Sequence, residues 1–97
     1  MQALSISFGV GLDNKGRLIR SITLEVVAEL DPADASQETL SGRLLYLLPF
    51  QLREIKESGN AIVSFKGQEY WFVRLERNGV FTLQQVRGPT HRLSFTP

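Results

Sequence analysis

Residues 61–96 decide the fold: Ala61-Ile-Val-Ser-Phe-Lys-Gly-Gln-Glu-Tyr70-Trp-Phe-Val-Arg-Leu-Glu-Arg-Asn-Gly-Val80-Phe-Thr-Leu-Gln-Gln-Val-Arg-Gly-Pro-Thr90-His-Arg-Leu-Ser-Phe-Thr96. Short apolar and β-branched runs alternate with Lys66-Gly67, Asn78-Gly79 and Gly88-Pro89, which carry turn chemistry. The spacing predicts strands near 61–66, 69–76, 80–86 and 91–96, joined as an antiparallel meander.

Upstream, residues 3–12 alternate with period two. Leu4, Ile6, Phe8, Val10 and Leu12 share one face, and Ala3, Ser5, Ser7, Gly9 and Gly11 share the other. Asp13-Asn14-Lys15-Gly16 supplies a turn, and residues 17–30 alternate again, so the N-terminal third reads as a long hairpin.

Residues 32–58 read as helical. Leu40, Leu44, Leu47 and Leu48 make a helix-spaced stripe, with Asp34 and Glu38 at its front and Arg53 and Lys56 near its end, an order that suits the helix dipole. Pro49 breaks a helix interior, which predicts a first helix over 35–47 and a second over 50–58 with Gly59 as its C-cap. A strand at 43–48 is the competing reading of Leu-Leu-Tyr-Leu-Leu. Gly42 weakens a helix by about 1 kcal/mol relative to Ala. The resulting order is an α+β domain. It has a mostly antiparallel curled sheet of about six strands, an N-terminal hairpin and a C-terminal meander, and a central helical segment packed on one face.

Ninety-seven residues suit a single domain spanning 1–97. Eleven basic against ten acidic residues leave a net charge of +1, so no global field attracts a polyanion. The acids gather at Glu25, Glu29, Asp31, Asp34 and Glu38, and the C-terminal third is locally basic through Arg74, Arg77, Arg87 and Arg92. No cysteine is present, so thiolate chemistry and Cys-based zinc sites are excluded. The start of the chain lacks a basic and apolar leader, and no apolar run approaches the ~18 residues of a membrane span. The expectation is a soluble cytoplasmic protein with no membrane association.

Catalysis finds little footing. His91 is the sole histidine, with no nucleophile motif beside it. Glu69 and Glu76 lie seven apart in one strand and so face opposite sides. Gly9-Val10-Gly11 is followed by a turn and a strand, whereas a phosphate-cradling loop needs a helix there. The row Ala3, Ser5, Ser7, Gly9 and Gly11 reads as a solvent face, the seat of a crossing helix, or a close approach for a partner. Lys66-Gly67 opens like an RNA-binding RNP1 element, but Gln68 and Glu69 stand where an aromatic and a small residue are required. No enzyme, cofactor or metal centre is expected.

The face analysis of 69–76 yields the candidate surface. With Trp71, Val73 and Leu75 inward, Tyr70, Phe72, Arg74 and Glu76 point outward, beside Ser64 and Lys66 on one neighbouring strand and Thr82 and Gln84 on the other. Tyr70, Phe72, Arg74, Lys66 and Arg92 are therefore the candidate binding residues. They suit a protein partner or self-association, including dimerisation through a sheet edge, because Tyr, Phe and Arg anchor interfaces. The alternative is single-stranded nucleic acid, whose bases stack on rings while cations hold its phosphates. The competing structural reading is that helix covers this face and Phe72 is core.

Overall fold

The computed structural model describes residues 1–12, 14–31 and 38–86. Six antiparallel strands and one helix follow in the order β1 (Gln2–Leu12), β2 (Leu18–Leu30), β3 (Thr39–Leu45), α1 (Pro49–Ser58), β4 (Ile62–Phe65), β5 (Gln68–Leu75) and β6 (Val80–Gln85). The strands close into a barrel in the order β1-β2-β3-β6-β5-β4. Two three-stranded meanders, β1–β2–β3 and β4–β5–β6, are thus sewn together along two seams. Ser5–Ser7 pairs with Ile62–Ser64 in one, and Thr39–Arg43 pairs with Val80–Gln84 in the other.

Mostly antiparallel pairing, the N-terminal hairpin and the strands at 62–65, 68–75 and 80–85 follow the sequence expectation. Closure corrects the open, curled sheet. A closed sheet satisfies its own edges, so the expected sheet-edge contact loses its basis across the barrel body. Among the described residues, the N-terminal hairpin outruns its neighbours: β4 pairs with β1 only at Ser5–Ser7, and β3 pairs with β2 only from Val27 onward.

The second correction concerns 35–47. Residues 39–45 form β3, and α1 begins at Pro49. Leu40 and Leu44 point into the barrel, while Gly42, between them on the same face, has no side chain. A Cβ at Gly42 would collide with the Glu29 carbonyl on β2, so glycine is required for that strand to approach. The expected helix over 50–58 is present, with Pro49 at its first position, where a missing N–H costs nothing. Gly59 ends it with φ 68°. The strand expected at 91–96 lies outside the described residues.

The turns follow their residue chemistry. Lys66 and Gly67 both take positive φ, 50° and 78°, as a two-residue type I′ hairpin requires. Gly79, at φ 89°, closes the β5–β6 turn and also lets it dock on β3, where the Gly79 carbonyl accepts the Leu44 N–H at 2.9 Å.

The core fills the barrel with Leu4, Ile6, Phe8, Val26, Ala28, Leu40, Leu44, Val63, Tyr70, Leu75, Phe81 and Leu83. Ile55 of α1, 2 % exposed, inserts at one end as a stopper. That end is the α1 pole, where β3 finishes and β6 begins. Among the described residues no helix is long and apolar enough to cross a membrane.

Candidate functional site

The residues nominated from sequence do not meet on one face. Tyr70 is 2 % exposed and lies among the largest fully enclosed side chains of the core. Burial pushes its phenol pKa up from 10.0. Phe72 is half-buried and meets Phe81 edge to face at 6.2 Å. Both aromatics therefore turn inward, and Trp71 lies on the outer wall between its register partners Ile62 and Gln84. The expected orientation of 70–72 is reversed. Arg74 is exposed and paired with Glu76. Lys66 is exposed at the far end of β5, its Nζ 5.3 Å from the Phe65 ring centroid. Lys66 lies in the β4–β5 turn, and the strand from Gln68 to Arg74 alone runs about 20 Å at the usual rise. Arg92 lies outside the described residues.

The reversal has a local cause. Between Phe72 and Arg74 the β5–β6 register slips by one residue at Val73. Such a bulge re-aims the side chains beside it. Tyr70, Phe72 and Leu75 then share the inside, and Val73 and Arg74 are both exposed. Val73 keeps 53 % of its surface open, unusual for a valine in a strand.

Val73 belongs to a larger assembly at the α1 pole. The segment from β3 into α1 reads Tyr46-Leu47-Leu48-Pro49-Phe50. Tyr46 holds a positive φ of 63° with 83 % of its surface exposed, and Leu48 and Phe50 are 55 % and 49 % exposed. A positive φ on a bulky aromatic stores about 1–3 kcal/mol of strain, a feature that clusters at functional segments. The helix start is held locally. The Gln51 Oε1 accepts the Leu48 N–H at 2.9 Å, and the Leu48 carbonyl accepts the Gln51 N–H at 2.9 Å.

Beside this segment runs a groove between α1 and the end of the β5–β6 hairpin. A cleft of about 630 Å³ is lined by Pro49, Leu52, Arg53, Lys56, Glu57, Glu76 and Arg77. A smaller recess of about 230 Å³ continues past Lys56, floored by Ile55, Ala61, Phe72 and Leu75 and flanked by Val73 and Arg74. Lys56 belongs to both. Four cations, Arg53, Lys56, Arg74 and Arg77, thus stand against the carboxylates of Glu57 and Glu76. The opposite flank of the helix is acidic: Glu57 borders both sides, and Glu54 faces the β1–β2 hairpin at Gly9, Val10 and Gly11. There the Asn60 Oδ1 accepts the Gly9 N–H at 3.0 Å, so the small-residue row at Gly9 receives the end of α1.

The exposed groups of this pole are aliphatic and aromatic carbons beside fixed cations. Among the described residues no group of three or more His, Asp or Glu is placed to hold a metal ion. The pole escaped the reading of Leu40, Leu44, Leu47 and Leu48 as a helix stripe. A signal was nonetheless present: seven residues from Leu44 to Phe50, all apolar, exceed what one short strand can bury. Comparison with family models, with curated proteins and with solved structures finds no match to this chain.

Proposed function

We propose that this chain is a non-catalytic protein-interaction module that binds through its α1 pole. One observation carries the reading. Of the large apolar side chains exposed among the described residues, Tyr46, Leu48 and Phe50 lie on the segment leading into α1 and Val73 flanks the recess beside that helix, and only Met1 lies elsewhere. Scattered exposed apolar residues need no explanation, whereas a gathered set rimmed by charge marks a contact surface. Arg74 is retained from the sequence-based set, at the wall of the groove. Tyr70 and Phe72 support that surface from inside the barrel. The single-stranded nucleic-acid reading loses the stacking platform it was built on, because both rings are turned inward.

Selection of a random displayed peptide library on the immobilised protein tests this. The expected peptides shift the amide resonances of residues 46–57 and 73–77, and lose binding to the Leu48→Ser/Phe50→Ser double variant, which retains its fold because both side chains are about half exposed or more. Peptides that bind the double variant equally well, or shift only the outer wall around Ser5, Ser64 and Trp71, would sink the proposal.

A further inference from the structure

We infer that the segment bound at the α1 pole is acidic, an amphipathic peptide whose carboxylates sit between Arg53, Lys56, Arg74 and Arg77 while its apolar side chains cover Pro49, Leu52 and Val73. This deepens the proposed interaction surface and rests on it.

The argument is one of charge complementarity within a bounded groove. Its two walls come from separate elements, α1 and the β5–β6 hairpin, and each contributes two cations. The β5 pair is presented by the Val73 bulge and the four-residue turn Glu76-Arg77-Asn78-Gly79, closed by the Gly79 N–H donating to the Glu76 carbonyl at 2.9 Å. The α1 pair is fixed by the Ile55 stopper, since Arg53 and Lys56 share the helix flank that faces the hairpin. Glu76 is already engaged by Arg74, so the balance offered to an incoming segment is positive.

Two other occupants fit less well. A second copy docked by two-fold symmetry would set four cations against the same four, and like charges across an interface oppose association. A nucleic-acid strand would find the same cations. It would leave the aliphatic surface of Pro49, Leu52 and Val73 without a matching partner. An acidic peptide with leucine-type anchors satisfies both the cations and the aliphatic floor.

The test uses the whole chain and three synthetic probes of similar length: a Glu/Leu-patterned peptide, a Lys/Leu peptide with the same leucine positions, and an oligothymidylate. The Glu/Leu peptide is expected to shift residues 49–57 and 73–77 and to weaken as salt rises. It should also bind about tenfold less tightly to the Arg53→Glu/Arg77→Glu variant, both positions being exposed. The Lys/Leu peptide should gain affinity for that variant. Equal binding of the two peptides to the wild type overturns the acidic assignment while leaving an apolar interaction surface standing. Failure of every probe to move these residues removes the surface itself. Tighter binding of the oligothymidylate at the same residues assigns the groove to nucleic acid. Concentration-dependent mass with shifts at the same residues in the absence of any probe assigns it to a second copy.

Discussion

Tyr70→Ala against Trp71→Ala measures which way β5 faces. Tyr70 is 2 % exposed, so truncation deletes its contacts and leaves a void in a closed barrel with little freedom to collapse. A buried aromatic cut to alanine costs about 3–5 kcal/mol. A domain of this length has about 5–15 kcal/mol in total, so the variant loses a third or more of its stability. Trp71 lies on the outer wall with most of its ring covered. The covered part is on the order of 150 Å², worth about 2–3.5 kcal/mol once a compact unfolded chain is allowed for, with no enclosed void to add. Equilibrium urea unfolding separates the two. With a slope of about 1 kcal/mol/M, the Tyr70→Ala midpoint should fall about 1 M further than that of Trp71→Ala. If Trp71→Ala is the more damaging change at unaltered slope, the inward register of Tyr70 and Phe72 is wrong.

Three further outcomes are expected. The folded state keeps the Tyr70 phenol neutral, with its pKa raised above 10.0 by burial. The associated stability is complete below pH 10 and drains away as pH rises through the folded value. Denaturant titrations from pH 9 to 11 should show this decline in the wild type and a shallower one in Tyr70→Phe. Gly42→Ala drives a Cβ into the Glu29 carbonyl and should cost about 3 kcal/mol. Amide exchange should quicken at Leu30 and Phe81, the register partners of Gly42; unchanged exchange would dismiss the close approach of β2 and β3. Tyr46→Gly relieves a left-handed backbone at an exposed position and should raise stability by about 0.5–1 kcal/mol in thermal melts while weakening peptide binding. A loss of stability would show that the tyrosine ring supports the fold.

The two hairpin-rich ends of the chain were legible because their signals are local. Leu4, Ile6 and Phe8 keep strict alternation, and the Lys66-Gly67 and Asn78-Gly79 turns announce themselves. β3 was hidden by its own packing requirement. Leu40 and Leu44 are alternate inward positions of a strand, but Gly42 between them has no side chain, and the surviving leucines then coincide with a helix period. β5 was misread for a related reason. Tyr70, Phe72 and Leu75 are spaced two and then three apart, so a bulge moves Leu75 onto the face of the other two, and no fixed parity predicts that. Barrel closure depends on pairings such as Ser5 with Ser64 and Thr39 with Gln84, which no neighbouring residues encode. The candidate surface was legible only at Arg74. The rest depended on recognising that the apolar run ending at Phe50 overfills its strand.

The two seams differ in length, and this governs how the barrel comes apart. Each meander is built from near neighbours in the chain, whereas both seams join distant segments and form late for that reason. The β1–β4 seam holds three residue pairs and the β3–β6 seam five, so opening starts at β1–β4. Helix α1 runs directly into β4, and Asn60 fastens that junction to Gly9 just past the seam. A segment gripped between α1 and the β5–β6 hairpin would therefore brace the junction that must give way first. Binding at this pole would lengthen the lifetime of the folded barrel, seen as slower amide exchange at Ser5–Ser7 and Ile62–Ser64, residues that the bound segment never touches.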